Sequence, residues 1–328
     1  MKRTLILHSI ASVLIVTAVL GLSCNPRSPN ANNNHNDIAN QNSSPGNVNS
    51  QTANGNIGDN QNKNDASAGD IDNSVANAET AMIFKVDKEV SLRTKGAADF
   101  VVILSALFRS GDVLRVGQQA VAWVTCPDGH VCPLNSGEYT DCCHITCPDP
   151  IQMQPPEGTE VRLMMEKKDL PPGERLIFEE SEKKIRQLGA DQVVTQFLIA
   201  NLYSSWKLKE ANQEVDKLQL ELKDPEAPEK LNLLYLPIVR KTGDLYLKID
   251  KKAEAERNYK QVIDLAPKKS DEKEEAAANV SLGQLYEKAG QKEAAAEKLN
   301  KATVLYEKQG EVQKASQTRR AMIKAQTP

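Results

Sequence analysis

The chain has 328 residues and a formal net charge of −3, with 41 Lys and Arg against 44 Asp and Glu. A near-balanced chain without a basic block lacks the electrostatic footprint of a nucleic-acid binder, which excludes nucleic acid as a partner class. Aromatic residues are only 4% of the total, so any core must be built mainly from aliphatic side chains.

The sequence opens MKRTLILHSIASVLIVTAVLGLSC. Lys2 and Arg3 form a basic start, and Leu5 to Leu22 is a mostly apolar run ending in small residues, the layout of an export signal. LGLSC resembles the lipobox of bacterial lipoprotein signals. The resemblance implies lipidation of Cys24, a mature chain beginning there, and a membrane partner in the form of a lipid anchor. Asn25 rather than Asp follows, which by the same resemblance points to the outer membrane or cell surface. Two alternatives stay open. Gly21-x-Ser23 fits ordinary signal cleavage, and the apolar run is about long enough to remain as an uncleaved anchor. All three deliver the rest of the chain outside the cytoplasm.

Asparagine supplies fifteen of the forty residues from Asn25 to Asn64, with no aromatic among them. Such a segment cannot offset its ordering entropy, and it is expected to act as a disordered tether over residues 24–80. A coil of about fifty residues spans roughly 40 Å.

About 245 residues remain, room for two modest domains. Residues 82–150 are rich in Val, Gly and Cys, residues 174–328 in Ala, Glu, Lys, Leu and Gln, with PPEG and LPPGER between them. MIFKVDKEVSLRTKG, DFVVILS, GDVLRVG and QAVAWVTC read as strands separated by turns. Leu107, Gly111, Asp112, Leu114, Gly117, Ala120, Val124, Asp128, Gly129 and Leu134 match a spaced pattern over some thirty residues. It resembles the extracytoplasmic domain of iron-dicitrate sensor (FecR-like) proteins. The resemblance implies a β-rich module over residues 81–155 and no signalling role, because nothing in this chain corresponds to their sigma-factor-binding segment.

Five cysteines fall between residues 126 and 147: Cys126, Cys132, Cys142, Cys143 and Cys147. Pro127-Asp128-Gly129 is a turn, and a tight hairpin there sets Cys126 opposite His130 and Cys132 opposite Val124. The two cysteines then share a face with Cα atoms roughly 8 Å apart, beyond disulfide reach. Each is expected to bridge to the later trio, leaving one odd thiol. Outside the cytoplasm, such staples support a thin β core. Zinc is the alternative, but C-x5-C, C-C and C-x3-C lack the usual knuckle spacing. A redox centre lacks C-x-x-C, and no metal or other cofactor is expected.

In the C-terminal half, Gly243, Tyr246, Ala255, Tyr259 and Val262, followed by Pro267, recur forty residues later as Gly283, Tyr286, Ala295, Leu299 and Ala302. Ala200 and Tyr203 repeat the spacing forty-three residues earlier, with Ala211 following one residue short in the turn. The pattern strongly resembles the tetratricopeptide repeat, which implies stacked helical hairpins over residues 174–328. The landmark residues then serve as packing determinants: small ones let helices approach, and Tyr and Leu fill the space between them. Asp271 with Glu274 marks a helix start, and Pro237 suits a first helical turn. ESEKKIRQLG and EVQKASQTRRAMIKA read as leading and closing helices. The same resemblance implies a peptide-binding groove lined by Phe197, Asn201, Arg240, Asp244, Lys248, Gln284, Glu287 and Lys288.

No nucleophile elbow, phosphate loop or H-E-x-x-H is present, and no enzymatic role is expected. The expected architecture is α+β in two domains: a signal peptide (1–23), the tether, a small disulfide-stapled β domain and a helical repeat array. The expected function is a lipid-anchored envelope scaffold that binds an unknown protein or peptide. A metal-binding or redox-sensing cysteine domain with a helical docking arm, and a cell-wall-binding module, are the rival readings.

Overall fold

A computed structural model describes residues 80–126, 129–140, 142, 145, 147, 149–156 and 164–327. The expected signal peptide, Cys24, almost all of the tether, Cys143 and His144 lie outside these residues. Eight strands come first: β1 (Thr80–Asp87), β2 (Val90–Arg93), β3 (Val101–Val102), β4 (Ala106–Arg109), β5 (Val113–Val116), β6 (Val121–Thr125), β7 (Val131–Leu134) and β8 (Gly137–Tyr139). They form two antiparallel sheets, ordered β4-β1-β6-β7 and β3-β2-β5-β8. Sequence alternation did not single out β4, β7 or β8. β7 contains Pro133, which an edge strand tolerates because one side of it carries no ladder.

Side chains alternate across a strand, and β1 uses both of its faces. Ala81 and Ile83 point between the sheets, packing with Val90, Leu92, Phe108, Leu114, Val124 and Leu134. Met82 and Phe84 point the other way, into a second cluster with Leu107, Val131, Ile151 and Met153 that continues through Phe178, Phe197 and Leu198 of the helices. The first sheet is therefore covered on both faces, and the β-rich and helical parts share core. Lys85 Nζ also donates to the Leu188 carbonyl across this junction.

The hairpin between β6 and β7 has the expected register. Val124 pairs with Cys132, the Cys126 N–H donates to the His130 carbonyl (2.8 Å), and Gly129 takes φ +91°. Cys132 is bridged to Cys147, with Cα atoms 5.5 Å apart. Cys126 and Cys132 are not bonded to each other, their sulfurs standing 3.7 Å apart, and the second expected bridge, from Cys126 to the later trio, is not formed: the expectation is corrected to one disulfide among the described residues. Cys142 is fully buried in the sandwich core.

Nine helices follow among the described residues: α1 (Pro172–Gln187), α2 (Gln192–Ser205), α3 (Ala211–Leu222), α4 (Ala227–Lys230), α5 (Tyr235–Lys248), α6 (Lys252–Leu265), α7 (Glu272–Lys288), α8 (Lys292–Lys308) and α9 (Val312–Gln326). α2 with α3, α5 with α6, and α7 with α8 pack as hairpins, and α9 packs on α8. The starts are set locally. Asp191 accepts from the Val193 N–H (2.8 Å), Asp271 accepts from the Glu274 N–H (3.2 Å), and Pro237 falls in the first turn of α5. In α1, Phe178 meets Tyr203 and Trp206 edge-on at 4.9 and 5.4 Å.

Landmark residues sit where the helices cross. Ala200, Ala255, Tyr259 and Ala295 are fully buried, and Tyr203 and Tyr246 nearly so. Tyr286 is half-buried with its hydroxyl on Glu256 (2.8 Å), while Pro267 is exposed and opens the 3-10 turn after α6. Gly283 lies against Leu299, and Gly243 lies against the Tyr259 ring. A methyl added at Gly243 would come within 2.6 Å of Tyr259 Cε1. The ring is held in place by a 2.6 Å hydrogen bond from its hydroxyl to Asp244.

Gly243→Ala is therefore expected to destabilise the protein by about 1–3 kcal/mol through overpacking, although alanine favours a helix interior by about 1 kcal/mol over glycine. Urea unfolding measures this directly. A variant at least as stable as the parent would show that the α5–α6 crossing has slack.

Candidate functional site

The eight residues expected to line a groove fall on α2, α5 and α7, but they do not share one exposed surface. Phe197, Arg240 and Gln284 are buried, at 4%, 3% and 8% exposure. Asn201, Asp244 and Glu287 are half-buried, and Lys248 and Lys288 are exposed. The expectation is thus corrected for Phe197, Arg240 and Gln284. Phe197 belongs to the hydrophobic cluster shared with the sheet, and Arg240 is enclosed between α5 and α7. What stays open is a polar strip across α2 and α5, where Lys248 Nζ donates to Asn201 Oδ1 and Ser205 Oγ, each at 3.4 Å.

Beneath that strip is a buried charged network. Arg240 Nε donates to Glu274 Oε2 (2.9 Å), its Nη1 lies 3.6 Å from Asp244 Oδ2, and Asp244 accepts from Tyr259. Burial works against the Arg240 charge, but the Glu274 and Asp244 carboxylates outweigh it and hold the guanidinium protonated. Burial, then the Asp244 carboxylate, push the Tyr259 hydroxyl far above the usual phenol range. For Lys241, burial first and the neighbouring Arg240 second push the ammonium down to about 8. The network is a clamp between α5 and α7.

A second polar feature lies where the β4–β5 turn meets α7, α8 and α9. Lys95, Arg109, Lys273 and Lys314 converge there on a cleft of about 130 Å³, with Asp112, Glu274, Tyr306, Gln309 and Glu311 also in its wall. Only Asp112 and Glu274 had drawn notice in the sequence, as parts of a turn pattern and of a helix start. The cations are separated by more than two hundred residues at the extremes, and no local signal joins them. Among the described residues, no group of three or more His, Cys, Asp or Glu is arranged to hold a metal ion, and no helix is long and apolar enough to cross a membrane.

No family model matches the chain, and no curated protein matches it. Among solved structures, BtubC (BKLC) from P. vanneervenii is similar at 14% identity and a TM-score of 0.31, covering 47% of this chain and 72% of that one.

Lys241 offers a test of the buried network. Its folded-state affinity for protons is depressed below that of the unfolded chain, whose lysines titrate near ~10.4. From about pH 8 to 10 the unfolded state therefore holds a proton that the folded state has released, and this group's contribution to stability rises with pH. Below that window both states are protonated and the full penalty persists. Lys241→Met is expected to raise stability at pH 7 by about 1–2 kcal/mol, discounted for the water that still reaches the side chain. The advantage over the parent shrinks as pH rises toward 10. A difference that stays constant from pH 7 to 10 would rule out a depressed Lys241.

Proposed function

We infer that this protein is a lipid-anchored scaffold of the bacterial cell envelope, most consistent with the outer membrane or cell surface. In this reading, Cys24 carries the lipid, the Asn-rich tether spaces the folded part from the membrane, and a FecR-like β module supports a tetratricopeptide-like helical array. The array binds another protein or an extended peptide without catalysis. The Cys132–Cys147 bridge supports an address outside the cytoplasm, since such bonds persist in oxidising compartments. The spacing of Gly243 and Gly283 against Tyr259 and Leu299 supports the repeat assignment.

The observation that carries the binding role is the open strip on α2 and α5, where Asn201, Ser205 and Lys248 hydrogen-bond to one another across two first helices. These groups can exchange that contact for the backbone and carboxylates of a bound peptide at little cost. Photo-crosslinkers placed at Lys248 and, as a control, at exposed Lys301 of α8 test this in intact cells. Position 248 is expected to trap a discrete protein partner and position 301 none. Lys248→Glu is expected to weaken capture about tenfold, the equivalent of one 1.4 kcal/mol contact. Equal trapping from both positions, or none from 248, would sink the scaffold reading.

A further inference from the structure

The cleft between the β4–β5 turn and the helices is built around one carboxylate. Asp112 is buried, and its two oxygens accept from the Lys95 N–H (2.8 Å) and the Arg109 N–H (2.9 Å). One side chain thus sets the backbone of both cation-bearing residues on that wall. Gly111, at φ +87°, lets the Lys95 stem lie across the turn; a methyl there would meet Lys95 Cδ at 2.8 Å. Among the described residues, neither the Lys95 nor the Arg109 side chain is in an ion pair.

The opposite wall adds Lys273 from the first turn of α7 and Lys314 from α9, both 4.0 Å from Glu311. Glu274 is occupied by Arg240 at 2.9 Å. Four cations line the cleft, with Arg240 standing behind Glu274, against the carboxylates of Asp112, Glu274 and Glu311 and the nearby Asp271, which leaves a modest excess of positive charge. Burial first, and then Arg109, push the Lys273 ammonium below its ordinary range, with Lys314 acting in the same sense. Glu311 and Asp112 oppose that effect without cancelling it. At the end of α8, the Gln309 side-chain amide has both its nitrogen and its oxygen buried, and neither has a hydrogen-bond partner among the described residues. A buried amide left in that state costs about 1–3 kcal/mol, which a ligand in the cleft would recover.

We propose that this cleft binds a phosphate-type oxyanion, either inorganic phosphate or the phosphoryl group of a small monoester. The volume of about 130 Å³ admits such a group with a few waters and is too small for a nucleotide or a folded peptide. Arg109 supplies the planar fork suited to two phosphate oxygens, and Lys95, Lys273 and Lys314 supply point charges. Because the walls come from both the sheet and the helices, the bound anion also ties the two together. Neither the lipid anchor nor the peptide strip is needed for this proposal.

Titration calorimetry of the purified protein at constant ionic strength tests it, using inorganic phosphate and glycerol phosphate, with sodium chloride and acetate as comparisons. Saturable binding at one site per chain is expected for inorganic phosphate, and for glycerol phosphate as well if the cleft mouth admits an ester. Arg109→Gln and Lys273→Gln are each expected to weaken binding about tenfold or more, and Lys301→Gln to leave it unchanged. Lys273 is exposed, so its variant keeps the test sharp should Arg109→Gln fail to fold. No saturable binding of either phosphate, equal response to acetate, or binding indifferent to Lys273→Gln would overturn the proposal.

Discussion

The two-faced burial of β1 is the constraint on which the rest of the structure depends. With Ala81 and Ile83 turned into the sandwich and Met82 and Phe84 turned toward the helices, one strand belongs to two cores at once. A β sandwich of this size has little apolar surface to bury alone, and so does a single helical hairpin. Sharing the sheet supplies both. It also places the β4–β5 turn against the first turn of α7, which is what brings residues from distant parts of the chain around a single cleft.

The Arg240 network shows the same logic in electrostatic form. A guanidinium taken out of water is unfavourable unless carboxylates and hydrogen bonds compensate it. Glu274 and Asp244 do so here, and Tyr259 ties Asp244 to the face that Gly243 leaves open. Close approach at the glycine, the tyrosine that fills it and the charge buried beside it are therefore coupled.

Much was legible wherever the determinant is local. The Asp271 cap, Pro237 in a first turn, Gly129 in the left-handed region and the Val124–Cys132 register each depend on a few neighbouring residues, and each is found as read. The later-cluster partner for Cys132 followed from the same hairpin geometry. Groove residues were less legible. Counting along a helix identifies a face but not what covers it, and Phe197, Arg240 and Gln284 lie on faces that the shared core and the neighbouring helix close. The cleft was not legible at all, because Lys95, Arg109, Lys273 and Lys314 carry no pattern along the chain.

By itself, then, the amino-acid order determined several helix starts, the turn at Gly129 and which residues pack at helix crossings. Those properties follow from short-range sterics, turn chemistry and hydrophobic periodicity, all of which act over a handful of residues. Only the tertiary structure decided that the sheet and the helices share core, and which charged groups stand within a few ångströms of one another. Burial and electrostatic proximity depend on distance in space, and the docking of β1 on the helices sets those distances for residues more than two hundred positions apart at the extremes.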